Sequence, residues 1–560
     1  MKNINKEIKK QIEATLKSAF EKCGFPCDFP EGYVIEKPRE KAHGDFSANI
    51  AMTLTKAAKK APRVIAQELT DNMDFSGTFI EKAEIAGPGF INFFLNGLQR
   101  AETVRTVMLE KEDYGKSENL KGNKIMVEFV SANPTGPMHM GNARGGALGD
   151  SLASVLEASG ADVTREFYLN DAGAQIVKLA KSLNARFMQH FMGEDAVEFP
   201  EDGYHGNDIK EHMENFIAET GDKYLNVRED ERKKVITHYV LEKNIAALHT
   251  DLAAYKINYD VWFPESDLYK SGEVEETIEQ LKKSDYTYEK DGALWFKSTT
   301  FGLEKDDVLV RNTGIPTYFA VDIAYHRNKF LVRGFDKVIN VWGADHHGHV
   351  ARMKGAMQAL GIDPDRLHVV LMQLVRLMQD GKVVRISKRT GNMITLNDLI
   401  DEIGLEPARF FFNLRQAESH LEFDLDLAKS QTSENPVFYV QYAHARICSV
   451  LRLLKSEGVE VASPDKTDFS LLQAEEEKEL IDKLAAYPDE IASAAEHYDP
   501  SRLTRYAIDL ASAFHSFYNA CHIKGVDENL MLARLALASC VKTVLYSDLS
   551  LLGVEAPEKM

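Results

Sequence analysis

The sequence predicts an α/β chain: a doubly wound parallel sheet in the middle, an α+β unit before it and an all-α helical bundle after it. From Lys124 onward, short β-rich runs alternate with helical ones, the pattern of a parallel sheet covered on both faces. Before that point an amphipathic helix is followed by mixed helical and strand-like stretches, and beyond Leu405 only helical periodicity remains. A chain of 560 residues is expected to hold about three or four domains.

Each element follows from its own pattern. Ile4, Ile8, Ile12, Leu16 and Phe20 recur every four residues, which is one face of a helix. An Ala/Lys stretch through Lys56, Lys59 and Lys60 reads as helical, and Ile91-Asn-Phe-Phe-Leu95 as a strand. These form a small unit over 1–115, and the polar, Gly-containing run Glu110 to Asn123 reads as a linker. Ile125 to Val130 reads as a buried strand, Ser131 to Pro137 as a Pro/Gly turn, and a helix starts at His139. Strand-like runs return near Val163, Trp262, Val308, Val338 to Trp342 and Val369 to Leu374, so 120–400 is expected to be a Rossmann-type domain. Residues 190–255 are helical and charged, as an insertion would be. A helical connection over 401–435 leads to a bundle over 436–560. Pro436 suits the first position of a helix whose apolar face runs through Tyr439, Ala443, Arg446, Val450 and Leu453. Leu503, Tyr506, Leu510, Phe514 and Phe517 repeat the stripe.

Acidic residues number 86 against 67 basic, a net charge of −19, which argues against binding polyanions by bulk charge. The excess is uneven. Residues 1–120 hold 18 of each sign, 431–560 hold 12 basic and 20 acidic, and Arg376 to Arg389 holds five basic residues and one acid. An acidic body with local basic contacts should hold a nucleic acid selectively and with a modest salt slope. Five cysteines make no disulfide framework and fit a reducing compartment, and Cys23 and Cys27 have the wrong spacing for zinc. The most apolar region, Leu530 to Leu552, is interrupted by Arg534, Lys542 and Asp548, so no membrane span is expected. The opening helix carries Glu7 and Glu13 and no Arg, unlike a transit peptide. A cytoplasmic monomer is the expectation.

Two stretches carry chemistry. Ala132-Asn-Pro-Thr-Gly-Pro-Met-His-Met-Gly-Asn142 joins a strand to a helix whose free N–H groups and positive dipole end attract phosphate. His139 can donate to phosphate oxygens, and Gly141 lets a nucleotide approach the backbone. Far downstream, Arg385-Ile-Ser-Lys-Arg-Thr-Gly-Asn392 suits a clamp on a triphosphate. Taken singly, the first is equally a capped Pro-Gly turn and the second a solvated charge run. Asp345, His346, His347 and His349 invite a metal reading. Adjacent histidines project differently, however, and no H-E-x-x-H or Cys/His cluster accompanies them, so a ligand-lining loop at the carboxyl edge of the sheet is preferred and no metal site is expected.

Together the two stretches resemble the class I aminoacyl-tRNA synthetases, with His139 to Asn142 in place of H-I-G-H and Arg385 to Arg389 in place of K-M-S-K-S. Glu128-Phe-Val-Ser-Ala-Asn-Pro-Thr-Gly-Pro137, Tyr168-Leu-Asn-Asp-Ala-Gly173, Trp342-Gly-Ala-Asp-His-His-Gly-His349, Gly44-Asp-Phe-Ser-Ala-Asn-Ile-Ala-Met52 and the closing Leu552-Gly-Val-Glu-Ala-Pro-Glu-Lys-Met560 are similar to the arginyl-tRNA synthetase family. Asn142 replaces the last His of the first motif and Arg385 the first Lys of the second. The resemblance implies ligation of L-arginine to tRNA(Arg) through arginyl-adenylate and transfer to the terminal 2′-hydroxyl. ATP would enter with Mg²⁺ as substrate, with no zinc or organic cofactor, and tRNA would be needed before arginine is activated. It assigns His139, Asn142, Ser387 and Lys388 to catalysis and Pro137, Gly141, Gly343, Asp345 and Met372 to ATP. Glu128, Asn133, Tyr318, Asp322 and His346 would hold arginine, Tyr439 or Tyr442 would stack anticodon bases, and the N-terminal domain would touch the outer corner of the tRNA. The physics agrees: a guanidinium needs carboxylates in planar, bidentate array beside an aromatic ring, and Tyr318 and Asp322 share a helical face at i and i+4. The rivals are another class I adenylate-forming enzyme and a non-catalytic tRNA-binding paralogue.

Overall fold

The computed structural model describes residues 2–38, 40–384 and 394–560. At its centre five parallel strands lie in the order Leu367–Met372, Lys337–Gly343, Lys124–Glu128, Asp162–Leu169, Val261–Pro264. In chain order these are the fifth, fourth, first, second and third strands, so the winding reverses between Lys124–Glu128 and Lys337–Gly343. Ligands of such sheets bind beyond the carboxyl ends at that reversal.

Successive strand residues face opposite sides, and both sides are covered, which is why these runs read as nearly continuous apolar sequence. Ile125, Val127, Phe167 and Ile339 join one core, while Met126, Tyr168 and Val338 join the other. The first core is shared with the helix Met140–Ala158 and the C-terminal bundle without a break. The second is closed by the helices Tyr318–Arg327 and His347–Ala359. The helices Gly173–Met192, Asn207–Thr220 and Glu229–Ala254 form a satellite with its own core around Leu183, Phe187 and Ile236.

At the N-terminus the predicted helix is Ile4–Cys23, its five periodic residues buried against a four-stranded antiparallel sheet. Asn5 donates to the Ala485 carbonyl at 2.9 Å and to Asp489 at 2.7 Å, seating this unit on the bundle helix Glu475–His497. The helix Leu98–Glu110, grouped by sequence with the N-terminal unit, gives its buried Val104 and Val107 to the bundle core instead.

Four local expectations need correction. The Val308 run is the strand Asp307–Val310, but it belongs to a separate antiparallel sheet with Thr287–Lys290 and Ala293–Phe296. The Ala/Lys helix stops at Lys59 (φ 53°) and restarts at Pro62, where proline suits a first turn. The region after Leu405 is not wholly helical: Leu421–Asp424 is a strand parallel to Val375–Gln379. In the helix Pro436–Ser456 the buried arc runs through Val437, Val440, His444 and Ile447, since it packs against both Ser501–Ala520 and Glu528–Leu551. Of the predicted stripe only Ala443 is fully buried, and Leu453 is 54% exposed. The second stripe, on Ser501–Ala520, is buried throughout. Glu528–Leu551 is long and apolar enough to cross a membrane by composition, yet it packs inside the bundle through Leu537, Val541 and Leu545.

Candidate active site

The central strand ends at Glu128, and the chain then turns through Val130 (φ 68°) and Ser131 (φ 44°). Left-handed backbone at a β-branched residue is costly and persists where the surroundings fix it, typically at functional sites. The turn runs to His139, the N-cap of Met140–Ala158. The Gly141 N–H donates to His139 Nδ1 at 3.1 Å, and the His139 N–H donates to Asn142 Oδ1 at 3.2 Å. The reciprocal cap leaves His139 Nε2–H and the Asn142 Nδ2 hydrogens to point elsewhere. Burial pulls the His139 pKa below the ordinary imidazole value, so the ring is a neutral donor near pH 7. A Cβ on Gly141 would stand 3.0 Å from that ring, which explains the glycine.

His139 and Asn142, though not Gly141, line a cleft of about 630 Å³ with Asn133, Thr135, Pro137 and Asn170. Asn170 Nδ2 donates to Asn133 Oδ1 at 2.8 Å, leaving the Asn133 amide N–H groups to donate. A second cleft of about 870 Å³ lies beside it, lined by Asp307, Tyr318, Asp322, Asp345, His349 and Arg352. His346 lines both. Asp345, expected on the ATP side, thus lies in the second cleft.

Charge organises the second cleft. His349 Nε2 donates to Asp322 Oδ2 at 3.0 Å while its Nδ1 accepts from Arg352 at 2.8 Å, and Arg352 also donates to Asp307 at 2.9 Å. Both ring nitrogens are thereby committed, and among the described residues no group of three or more His, Cys, Asp or Glu is placed to hold a metal. The Tyr318 hydroxyl oxygen accepts from the Ala174 N–H at 3.1 Å. Behind it lies Glu265, a residue that sequence reasoning missed. Gly173 (φ 81°) marks the meeting point: a Cβ there would lie 3.3 Å from the Tyr318 ring and 3.7 Å from Glu265 Oε1. Tyr168 OH donates to Glu265 Oε2 at 3.1 Å, and Oε1 is buried without a partner. Burial, reinforced by the carboxylates of Asp322 and Asp171, pushes the Glu265 pKa up to about 7. An unpaired buried carboxylate oxygen beside Tyr318 is suited to a cation. Its position immediately after the third strand was the one available signal.

Other expected site residues sit further off. Glu128 lines neither cleft; its carboxylate goes to Lys329 and to Ser131 Oγ. Met372 and Gly343 end neighbouring strands and line neither cleft, and the Met372 Cε would lie 3.6 Å from a Cβ on Gly145 of the capped helix. Tyr439 and Tyr442 lie in the bundle, Tyr442 being 40% exposed and both packing on His515. Ser387 and Lys388 fall outside the described residues, but the chain on either side is anchored. Val384 closes a hairpin, and Ile394 and Leu396 bond back to Met140 and Met138 at 3.1 and 3.0 Å. Arg144, buried in the capped helix, donates to the carbonyls of Gln373, Gln416 and Ser419, and burial lowers its pKa to about 10.

The chain matches known families over three segments. Residues 103–426 match the tRNA synthetases class I (R) catalytic domain, residues 6–95 the arginyl tRNA synthetase N terminal domain, and residues 440–560 the DALR anticodon binding domain. An arginine–tRNA ligase of Caldanaerobacter subterraneus is 61% identical over 94% of this chain and 93% of that protein. One of Ruminiclostridium cellulolyticum is 58% identical over the full length of both. The solved Thermus thermophilus arginyl-tRNA synthetase shares the fold, with a TM-score of 0.75 at 22% identity over 98% of this chain and 100% of that one. With its catalytic core matched across most of its span and its whole length shared with such relatives, the chain belongs to the class I arginyl-tRNA synthetase family.

Proposed function

We infer that the chain is an arginine–tRNA ligase whose amino-acid pocket is built by Asp322, Glu265 and Tyr318. The observation that carries this is the joining, at His346, of a carboxylate-lined cleft to a cleft at a helix N-terminus. An oxygen of the arginine carboxylate attacks the α-phosphorus of ATP, forming a P–O bond as the bond to pyrophosphate breaks. The 2′-hydroxyl of the terminal adenosine then attacks the arginyl carbonyl, and AMP leaves.

In this reading His139 Nε2–H and the Asn142 amide donate to oxygens that gain charge at phosphorus, where preorganised donors act most strongly. Pro137, Gly141, Gly343 and Met372 border the nucleotide, and Asn133 and His346 face the α-amino and carboxylate end. Lys388 and Ser387 serve the pyrophosphate side by their motif, with ATP arriving as its magnesium complex. The pocket rejects lysine because a site built for a guanidinium leaves buried acceptors unmet by other cations; such sites discriminate by roughly 10⁴–10⁵. The bundle takes the anticodon, with Tyr442 as a stacking surface, and the N-terminal unit takes the outer corner of the tRNA. The enzyme acts as a cytoplasmic monomer.

Pyrophosphate exchange with arginine, lysine and other amino acids, each with and without tRNA, tests the assignment. Arginine alone among them should drive exchange, and only with tRNA present. Exchange driven by another amino acid, or none with arginine under either condition, would overturn it.

A further inference from the structure

Lys329 is fully buried, on the π-helical turn Asn328–Val332 that continues the helix bearing Tyr318 and Asp322. Its ammonium pairs with Glu128 at the end of the central strand, donates to Asn340 Oδ1 at 3.1 Å in the adjoining strand, and lies 4.1 Å over the Tyr325 ring. Asn340 Nδ2 donates to His326 Nε2 at 2.8 Å, and His326 Nδ1–H donates to the backbone carbonyl of Asp322 at 2.8 Å. On the other side, Ser131 Oγ donates to Glu128 at 3.0 Å and accepts the Tyr168 N–H at 3.2 Å. An unbroken chain of polar contacts therefore runs from the strained turn beside His139, through Lys329, to Asp322.

A buried ion pair is weak as a source of stability, because desolvation offsets its attraction and an apolar pair of equal volume often serves as well. The π turn that admits Lys329 is a rare form that concentrates at functional sites. Removing the lysine would also leave the buried Glu128 carboxylate with Ser131 Oγ but no positive partner, in surroundings that screen charge poorly.

We propose that Lys329 is a positioning residue for arginine: by holding Glu128 and Asn340 it fixes Asp322 against the guanidinium and ties the amino-acid cleft to the turn that leads to His139. This rests on the arginine–tRNA ligase reading.

The test is steady-state pyrophosphate exchange with tRNA present, alongside thermal melts, for three variants. Lys329→Met should raise the KM for arginine at least tenfold with the KM for ATP within twofold, at reduced Tm. Glu128→Gln/Lys329→Met removes both charges, so its Tm should return toward wild type while the arginine KM stays at least tenfold high. Asn340→Ser keeps the pair and cuts the link to His326, and should raise the arginine KM about threefold with the ATP KM unchanged. A double variant with wild-type arginine KM would reduce the pair to a structural role and overturn the proposal. So would a fall in kcat with neither KM altered. If neither Lys329 variant folds, Asn340→Ser decides alone, an unchanged arginine KM being the negative result. Absence of arginine-dependent exchange in the wild-type enzyme would defeat the functional reading and this proposal together, whereas a normal wild type with indifferent variants defeats this proposal only.

Discussion

The two clefts that meet at His346 are made of opposite materials. The helix-terminus cleft comes mostly from one stretch, Val130 to Asn142, and works with backbone N–H groups, amides and a neutral imidazole; among its described lining residues Asp208 is the one carboxylate, and no lysine or arginine appears. The carboxylate cleft draws on segments around Asp307, Asp322 and Asp345, with Glu265 behind, and its side chains are charged and paired to one another. A nucleotide brings its own charge and cation, so fixed dipoles meet it at little desolvation cost. A guanidinium that must be told from an ammonium needs oriented carboxylates.

If that division of labour holds, each cleft should fail in its own kinetic constant. The largest loss is expected for His139→Ala, which removes a donor that strengthens only as charge develops. Its exchange kcat should fall by roughly 10²–10³, about 3–4 kcal/mol, with the arginine KM nearly constant. Asp322→Ala should do the reverse, raising the arginine KM by about 10² through loss of a charged acceptor and leaving the ATP KM within a factor of about two. Equal effects of either variant on both substrates would erase the distinction between the clefts.

The same contrast decides what could be read in the sequence. The first cleft is mostly contiguous, so strand, turn, capping His and helix were visible as one pattern, and the alternation of apolar runs was enough to identify the parallel sheet. The second is assembled at long range. Glu128 reads as the end of a strand, and no local pattern shows that Lys329, 201 residues away in sequence, pairs with it. His349 and Arg352 show the i, i+3 spacing of a helix pair, but nothing in the chain says that Asp322 and Asp307 lie at their two ends. The strand Leu421–Asp424 is four residues long among helices, too short for period-two alternation to register. The offset of the Tyr439 stripe has a different cause: a helix packed against two neighbours buries a wide arc, and periodicity alone does not locate its centre.

A third region provides a control on both clefts. Tyr442→Ala in the bundle should raise the tRNA KM for aminoacylation about tenfold, the worth of one base stacked on an aromatic ring, and leave the KM values for arginine and ATP unchanged. A shift in the arginine KM would mean that the bundle, which shares a core with one face of the sheet, transmits strain to the amino-acid cleft.

The smallest effect is the most specific to the carboxylate cleft, and its sign follows from Glu265. Burial first, then the carboxylates of Asp322 and Asp171, raise this carboxyl to about 7, so it keeps its proton below that pH and is an anion above it. The guanidinium stays protonated throughout. The arginine kcat/KM should therefore fall as pH drops from 8 to 6, by at most about tenfold per unit, with the ATP KM flat. Bound guanidinium favours the anion, so the midpoint seen in kcat at saturating arginine should lie at lower pH than the midpoint in kcat/KM. Glu265→Gln keeps the shape and loses the charge: its arginine KM should be high at pH 8 and level down to pH 6, and an acid limb that survives in this variant would assign the ionisation to another group. The raised folded-state pKa also makes a stability statement, since such a carboxyl favours the fold at low pH and loses that contribution as pH rises through about 7. Thermal melts across the same range should show arginine raising the Tm more at pH 8, where it meets a buried anion, than at pH 6, where it must first displace a proton.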